Sequence, residues 1–245
     1  MSPRRRRKKA GVSAQATHRG VGRVRVAVIG GTGRFGSALV RALAEAGHHT
    51  IIGSRSAERA VNMAAVLGAQ TQSAAVVEGA LNPDAARAAE VVLLAVPGPG
   101  QARVVQSIAD ASGGRVVVDT CVCHHPRRPG VWSRPRDGSA AARVRRLLPR
   151  SAAVAATLHA VPASALRHPE RFPLGHVLFC AEDQGGTDGV RSLLEALRLE
   201  GLPAGGLEVA AALEHLAVLL TAFSETHGAP AAGVRFLGLP EPTDG

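Results

Sequence analysis

Tyrosine is absent from the 245 residues, and both lysines, Lys8 and Lys9, lie among the first nine. Schemes built on a tyrosine acid, or on a lysine amine within a folded region, therefore have no candidate. That excludes Tyr/Lys reductases and Schiff-base enzymes. Aromatic side chains make up 2% of the chain, so the stacking platforms that accompany nucleic-acid binding are missing and no nucleic-acid partner is expected. Cysteine is scarce and odd in number (Cys121, Cys123, Cys180), and no apolar segment follows the N-terminal arginines as a secretion signal requires. These features predict a reducing, cytoplasmic setting. The Cys121-Val122-Cys123-His124-His125 run lacks the usual ligand spacing and a second Cys/His pair, so no metal site is expected. No stretch reaches the roughly 18 unbroken apolar residues of a membrane span, and no membrane partner is expected.

What is present in excess is positive charge, formally +10, and it is unevenly placed. Residues 1–23 carry eight Lys/Arg and no acid, leaving 21 basic against 19 acidic residues elsewhere. A self-repelling run with no apolar face cannot bury a core, so residues 1–22 read as a disordered basic tail. A second concentration lies between Arg115 and Arg150, where nine arginines face only Asp119 and Asp137. Arg127, Arg128, Arg134 and Arg136 fall in what reads as a Pro/Gly-rich loop, and Arg143, Arg145 and Arg146 in a helix after Gly138. Such a local field would draw an anionic small-molecule partner if the loop stands at a cleft mouth.

The organising pattern begins at Val24. Residues 24–29 have the β-branched character of a strand, and Gly30-Gly31-Thr32-Gly33-Arg34-Phe35-Gly36 follows at once. Gly31, Gly33 and Gly36 satisfy GxGxxG. Residues 35–46 then read as a helix closed by Gly47, and 49–53 as a second strand. Strand, glycine turn, helix and strand in this order bring the backbone against a pyrophosphate and aim a helix N-terminus at its charge. Gly30 to Gly36 are thus assigned to a dinucleotide. An NAD site usually ends its second strand with an acid for the ribose, whereas this chain has Gly53-Ser54-Arg55-Ser56-Ala57-Glu58-Arg59. Ser54, Arg55 and Arg59 suit a 2′-phosphate, which favours NADP(H).

The alternation continues with a short helix opening at Asn82-Pro83, a strand over 90–96 and a sharp loop at Pro97-Gly98-Pro99-Gly100. A helix over 101–109 and a strand over 115–119 come next. The fold class is therefore α/β, a Rossmann-type, doubly wound, mostly parallel sheet with a smaller C-terminal αβ extension ending in a long helix. Residues 23–150 form the NADP-binding part. Residues 151–245 supply the extension, with strands over 152–157 and 177–181 and helices over 187–199 and 207–227. Ligands collect beyond the carboxyl ends of such strands, so Val96 and Pro97 are placed at the nicotinamide end of the cleft.

Taken together, these segments resemble the coenzyme F420-dependent NADP reductases, the reduced-deazaflavin:NADP oxidoreductases. The resemblance rests on Val26-Ala27-Val28-Ile29-Gly30-Gly31-Thr32-Gly33 with Gly36, Gly53-Ser54-Arg55 with Arg59, and Val96-Pro97. It continues through Leu158-His159-Ala160-Val161-Pro162-Ala163, Phe179-Cys180-Ala181-Glu182-Asp183 and Gly233-Val234-Arg235-Phe236-Leu237. It implies direct hydride exchange between NADP(H) and coenzyme F420, with the protein holding two rings together rather than reacting itself. Thr32 to Phe35 would hold the pyrophosphate, and His159, Ala160, Val161 and Pro162 would line the deazaflavin. A homodimer through the C-terminal elements is expected. From charge alone, Arg127 and Arg128 become partners for the anionic tail of the deazaflavin.

Departures from the family pattern fall on the second-substrate side. Ala160 stands where a threonine is usual, Gly98-Pro99-Gly100 where bulkier residues are usual, and residues 120–138 are long and arginine-rich. A relative retargeted to NADPH-dependent reduction of a C=N, C=C or C=O bond, with His159 as proton donor, therefore stays open, as does a non-catalytic NADP sensor.

Overall fold

The computed structural model describes residues 24–125, 127–168 and 175–239; the N-terminal basic segment lies outside the described residues. The first unit forms as its pattern dictates: β1 (Arg25–Ile29), α1 (Arg34–Glu45) and β2 (His49–Ser54), with β1 and β2 parallel. Gly47 at φ +90° ends α1. The His48 N–H donates to the Leu43 carbonyl and the Gly47 N–H to that of Ala44, so two orphan carbonyls of the last turn are satisfied. Then follow α2 (Ala57–Gln70), β3 (Val77–Leu81), α3 (Asn82–Ala88), β4 (Val91–Leu94), α4 (Gly98–Ile108) and β5 (Val116–Asp119).

Beyond β5 come a two-stranded hairpin, β6 (His124–His125) and β7 (Arg128–Trp132), then α5 (Ala140–Leu147) and β8 (Ala153–Thr157). The remainder is α6 (Ala163–Arg167), β9 (Val177–Ala181), α7 (Gln184–Ala196), β10 (Gly201–Pro203) and α8 (Ala210–His227). Eight strands join one sheet in the order β10-β9-β8-β5-β4-β1-β2-β3. Every pairing is parallel except β8 with β9, so β9 and β10 run against the other six. The residues after position 150 therefore continue the sheet through β8.

Both faces of the sheet are covered, which explains the near-continuous apolar strands. In β1, Val26 and Val28 enter the core beneath α1 and α2, while Ala27 and Ile29 enter the one that holds Ala85 of α3 and Val105 of α4. The same alternation separates Val118 from Val117 in β5. Chain order reverses between β1 and β4, and there the carboxyl ends of the strands leave a crevice.

Several boundaries differ from expectation. Residues 98–100 are not a loop but the first turn of α4. Pro97 is the N-cap, and Pro99 falls in the first turn, where its missing N–H costs nothing. The strand expected over 90–96 is only Val91–Leu94, and the last long helix begins as a 3-10 turn, Leu207–Val209, before α8. The helix expected at 187 starts at Gln184, because the Asp183 carboxylate accepts the Gly186 N–H at 2.8 Å and fixes the end earlier. Strands β3 and β10, short and carrying glycine, were not foreseen. The arginine-rich loop is a hairpin, with Arg128 opening β7. The charges of α5 are partly neutralised within the fold: Arg145 pairs with Glu182 at 2.8 Å and Arg146 with Asp137.

Residues Leu207–His227 are long and apolar enough to cross a membrane by length and composition. Yet Glu214, in the middle of this span, is fully buried and accepts the Trp132 indole N–H at 3.0 Å and the Ala140 backbone N–H at 2.6 Å. The helix is thereby tied to β7 and to the start of α5.

Candidate functional site

At the crevice the glycine turn forms a cradle that no side chain could fill. Gly30 carries φ +86°, and a Cβ there would stand 2.5 Å from the Ala95 carbonyl oxygen and 2.9 Å from Val96. Hence the strained position is Gly30, just outside the GxGxxG count, and Val96 lies directly against it. At Gly36 a Cβ would approach Gly31 Cα to 2.8 Å and the Gly30 carbonyl more closely still. Only glycine lets α1 pack this close to the turn. The N-cap of α1 is Gly33, which offers no side-chain acceptor, and no acid stands in the first turn. The N-terminal amides of α1, opening at Arg34 and Phe35, remain available to an anion. These features fit a dinucleotide pyrophosphate.

The ribose end is equally legible. Ser54, 8% exposed, closes β2, and its hydroxyl accepts the Ser56 N–H at 3.2 Å. Ser56 in turn caps α2 through the Arg59 N–H at 3.3 Å. This turn holds Arg55 and Arg59 at the edge of the crevice, both exposed and without an ion pair among the described residues. No carboxylate occupies the position that reads a ribose 2′-hydroxyl. Two free guanidinium groups beside a fixed hydroxyl fit a 2′-phosphate.

A second candidate region centres on the turn Leu158–Val161, which follows β8 at the same edge of the sheet. Leu158 is fully buried, yet its φ is +62°, a conformation costly for a branched side chain and sustained here by core packing. The Val161 N–H donates to the Leu158 carbonyl at 3.1 Å, closing the turn. Both imidazole nitrogens of His159 are buried and lack a hydrogen-bond partner. Burial holds the His159 pKa down, to about 4, so the ring is neutral near pH 7. A cleft opens beside this turn, walled by His176–Leu178, by Leu213, Leu216 and Leu220 of α8, and by Gly233–Val234. A neighbouring hollow shares His159, Ala160 and Val161 and adds Pro162. Helix α1 packs against α6, the helix that opens directly after Pro162, which sets this turn beside the glycine-built unit.

Arg127 and Arg128 are not brought to that turn. Their hairpin lies along the face of α8 that carries Glu214, His215 and Ala222, whereas the cleft is lined from the opposite face. Both arginines are exposed and unpaired among the described residues. Sequence reasoning missed Gln101, Asp119, Arg143 and Glu214, a buried polar group beneath the crevice. Gln101 donates to Asp119 at 2.7 Å, and Arg143 donates to the Gly98 carbonyl at 3.3 Å and to Gln101 at 3.2 Å. Desolvation raises the Asp119 pKa well above the usual carboxylate range, and that of Glu214 upward too. The one available signal was a lone Glu214 amid an apolar helix. His176 was also missed; it accepts the Phe236 N–H at 3.0 Å and pins the C-terminal segment beside the cleft.

Against known proteins, residues 25–122 match the family model described as NADP oxidoreductase, coenzyme F420-dependent. An F420-dependent NADP reductase of Methanothermobacter marburgensis is 35% identical over 228 residues, spanning 89% of this chain and all of that protein. The chain belongs to the F420-dependent NADP reductase family. It is an NADP oxidoreductase of that type. The reductase of the same name from Methanothermobacter thermautotrophicus is also 35% identical, over 89% of this chain and 97% of that one. A crystal structure from Arthrobacter sp. FB24 superimposes with a TM-score of 0.75 at 22% identity, covering 87% of this chain and 99% of that one, and agrees in fold.

Proposed function

We propose that the protein catalyses direct hydride exchange between NADP(H) and the deazaflavin coenzyme F420. The observation that carries this reading is the adjacency of an uncapped, glycine-lined helix end, suited to NADP, and an apolar cleft with an unpartnered neutral imidazole, suited to a second ring. When bound, the two rings supply the redox chemistry themselves.

The work of the chain is then binding, alignment and exclusion of water. Gly31 to Phe35 hold the pyrophosphate, Ser54, Arg55 and Arg59 the 2′-phosphate, and Val96 and Pro97 back the nicotinamide. His159, Ala160, Val161 and Pro162 border the second ring. The unpartnered nitrogens of His159 can donate or accept one hydrogen bond there, and a neutral imidazole can take up the proton that accompanies the hydride and pass it on once protonated. Arg127 and Arg128, standing across α8, act through their field on an anionic substrate rather than by contact. Three free, buried cysteines suit a reducing cytoplasm, and the exposed Leu219 and Phe223 of α8 suit a homodimer contact.

The test is to mix the protein with NADPH and oxidised F420 and follow the deazaflavin absorbance. Rapid bleaching is the expected result. No bleaching, with NADPH binding intact, would overturn the reading and leave a different acceptor.

A further inference from the structure

Cys121 and Cys123 sit at the root of the hairpin, where β5 has just ended, and both side chains turn inward, 3% and 7% exposed. With Ala140 they make one small buried cluster. Both also stand against the first turn of α4: a Cβ built on Gly98 would meet Cys123 Sγ at 3.2 Å and Cys121 Sγ at 3.6 Å. From the other side, Arg143 grips that turn through the Gly98 carbonyl and Gln101. Gly98 directly follows Pro97, so the sulfurs support the wall assigned to the nicotinamide.

The two thiols are not equivalent. Interaction with Cys121 and the Arg143 charge hold the Cys123 pKa down, whereas the same interaction and burial push Cys121 up. Of the two, Cys123 is the more readily ionised and Cys121 the thiol beside it. The remaining cysteine, Cys180, lies buried against Ala141 and Ala156, and burial pushes its thiol up to about 12.

We propose that Cys121 and Cys123 form a reversible disulfide on exposure to a peroxide, and that its closure weakens dinucleotide binding by withdrawing support from the Pro97–Gly98 wall. The second half rests on the reading of the crevice given above. The Cys123 thiolate attacks one peroxide oxygen; the O–O bond breaks and the other oxygen leaves as hydroxide, which becomes water. Cys123 is left as a sulfenic acid. Cys121 sulfur then attacks that sulfur, the S–S bond forms, and the sulfenic oxygen departs as a second water. Two electrons pass from the thiols to the peroxide, and both thiol protons end in water. Closure brings the sulfurs to ~2.05 Å of each other, which shifts their packing against Gly98. A bridge across a single intervening residue is strained and therefore readily reduced by a dithiol, as a regulatory bridge must be.

The test uses the full chain treated with hydrogen peroxide, denatured, alkylated and weighed. The expected result is one alkylated cysteine in place of three, a loss of two hydrogens mapped to the Cys121–Cys123 peptide, and reversal by dithiothreitol. NADPH affinity, read by nucleotide fluorescence without any deazaflavin, should weaken several-fold in the oxidised protein and recover on reduction. Cys121→Ser, Cys121→Ala and Cys123→Ser should each abolish bridge and shift, while Cys180→Ser should retain both. Three alkylated thiols after peroxide, or over-oxidation of Cys123 with no bridge, would overturn the proposal. A bridge that leaves NADPH affinity unchanged would overturn the coupling. The thiol count is indifferent to F420, so failure of the deazaflavin assay leaves this result readable.

Discussion

Gln101 donates from Nε2 to Asp119 Oδ1 at 2.7 Å, and Asp119 Oδ2, fully buried, has no partner. The carboxyl is therefore half-satisfied, and burial favours its protonated form. A raised native pKa means that the native state holds a proton that the unfolded chain releases above about pH 4. Stability is consequently lost as pH rises from that value. Asp119→Asn, which keeps the acceptor oxygen and removes the charge, should raise the melting temperature at pH 8. The gain, roughly 2–4 °C for each kcal/mol of penalty removed, should shrink toward pH 4. Thermal melts of both proteins across that range check the sign, and a gain that grows on acidification would refute the account.

His159 works in the opposite direction. Its native pKa is lowered to about 4, so between pH 6.5 and 4 the unfolded chain takes a proton that the native ring refuses. Stability falls as pH drops through that window, and His48, also lowered by burial, adds to the fall. His159→Asn should flatten the acid limb of the melting curve. The same variant should lower turnover with F420 by roughly a hundredfold to ten-thousandfold, the usual span for a lost proton relay. NADPH affinity should hardly move.

Arg55 and Arg59 stand unpaired beside the buried Ser54 hydroxyl. Replacing either by Ala should raise the KM for NADPH roughly tenfold, the scale of a lost charge-assisted hydrogen bond. The KM for NADH should stay near its starting value. Steady-state kinetics with both nucleotides decide this, and equal losses for the two would remove these residues from the 2′-phosphate site.

Arg127 and Arg128 are separated from the cleft by α8, so their influence is electrostatic steering. The double Ala variant should slow F420 capture at low ionic strength, and the difference should fade near 0.15 M salt, where the Debye length is about 8 Å. A salt-independent rise in KM would instead indicate direct contact.

Much of this protein is legible in its sequence. The GxGxxG turn, the Schellman-type end at Gly47 and the missing acid after β2 are local features, each set by residues within one turn of chain, and the structure places them as the pattern requires. The first turn of α4 was misread because Pro-Gly-Pro-Gly favours loops in isolation, whereas proline is tolerated at the start of a helix. Strands β3 and β10 were missed because short edge strands take their conformation from neighbours rather than from their own residues.

The sequence alone determined the fold class, the dinucleotide cradle and the nucleotide preference, because backbone sterics and charge type act over short spans. Only the tertiary structure decided which distant groups meet. Glu214 reaches Ala140, Gln101 reaches Asp119, Cys121 and Cys123 settle against Gly98, and α8 separates Arg127 and Arg128 from His159. No periodicity encodes such contacts, since they arise from how layers stack on a sheet, and burial then sets the protonation of each group.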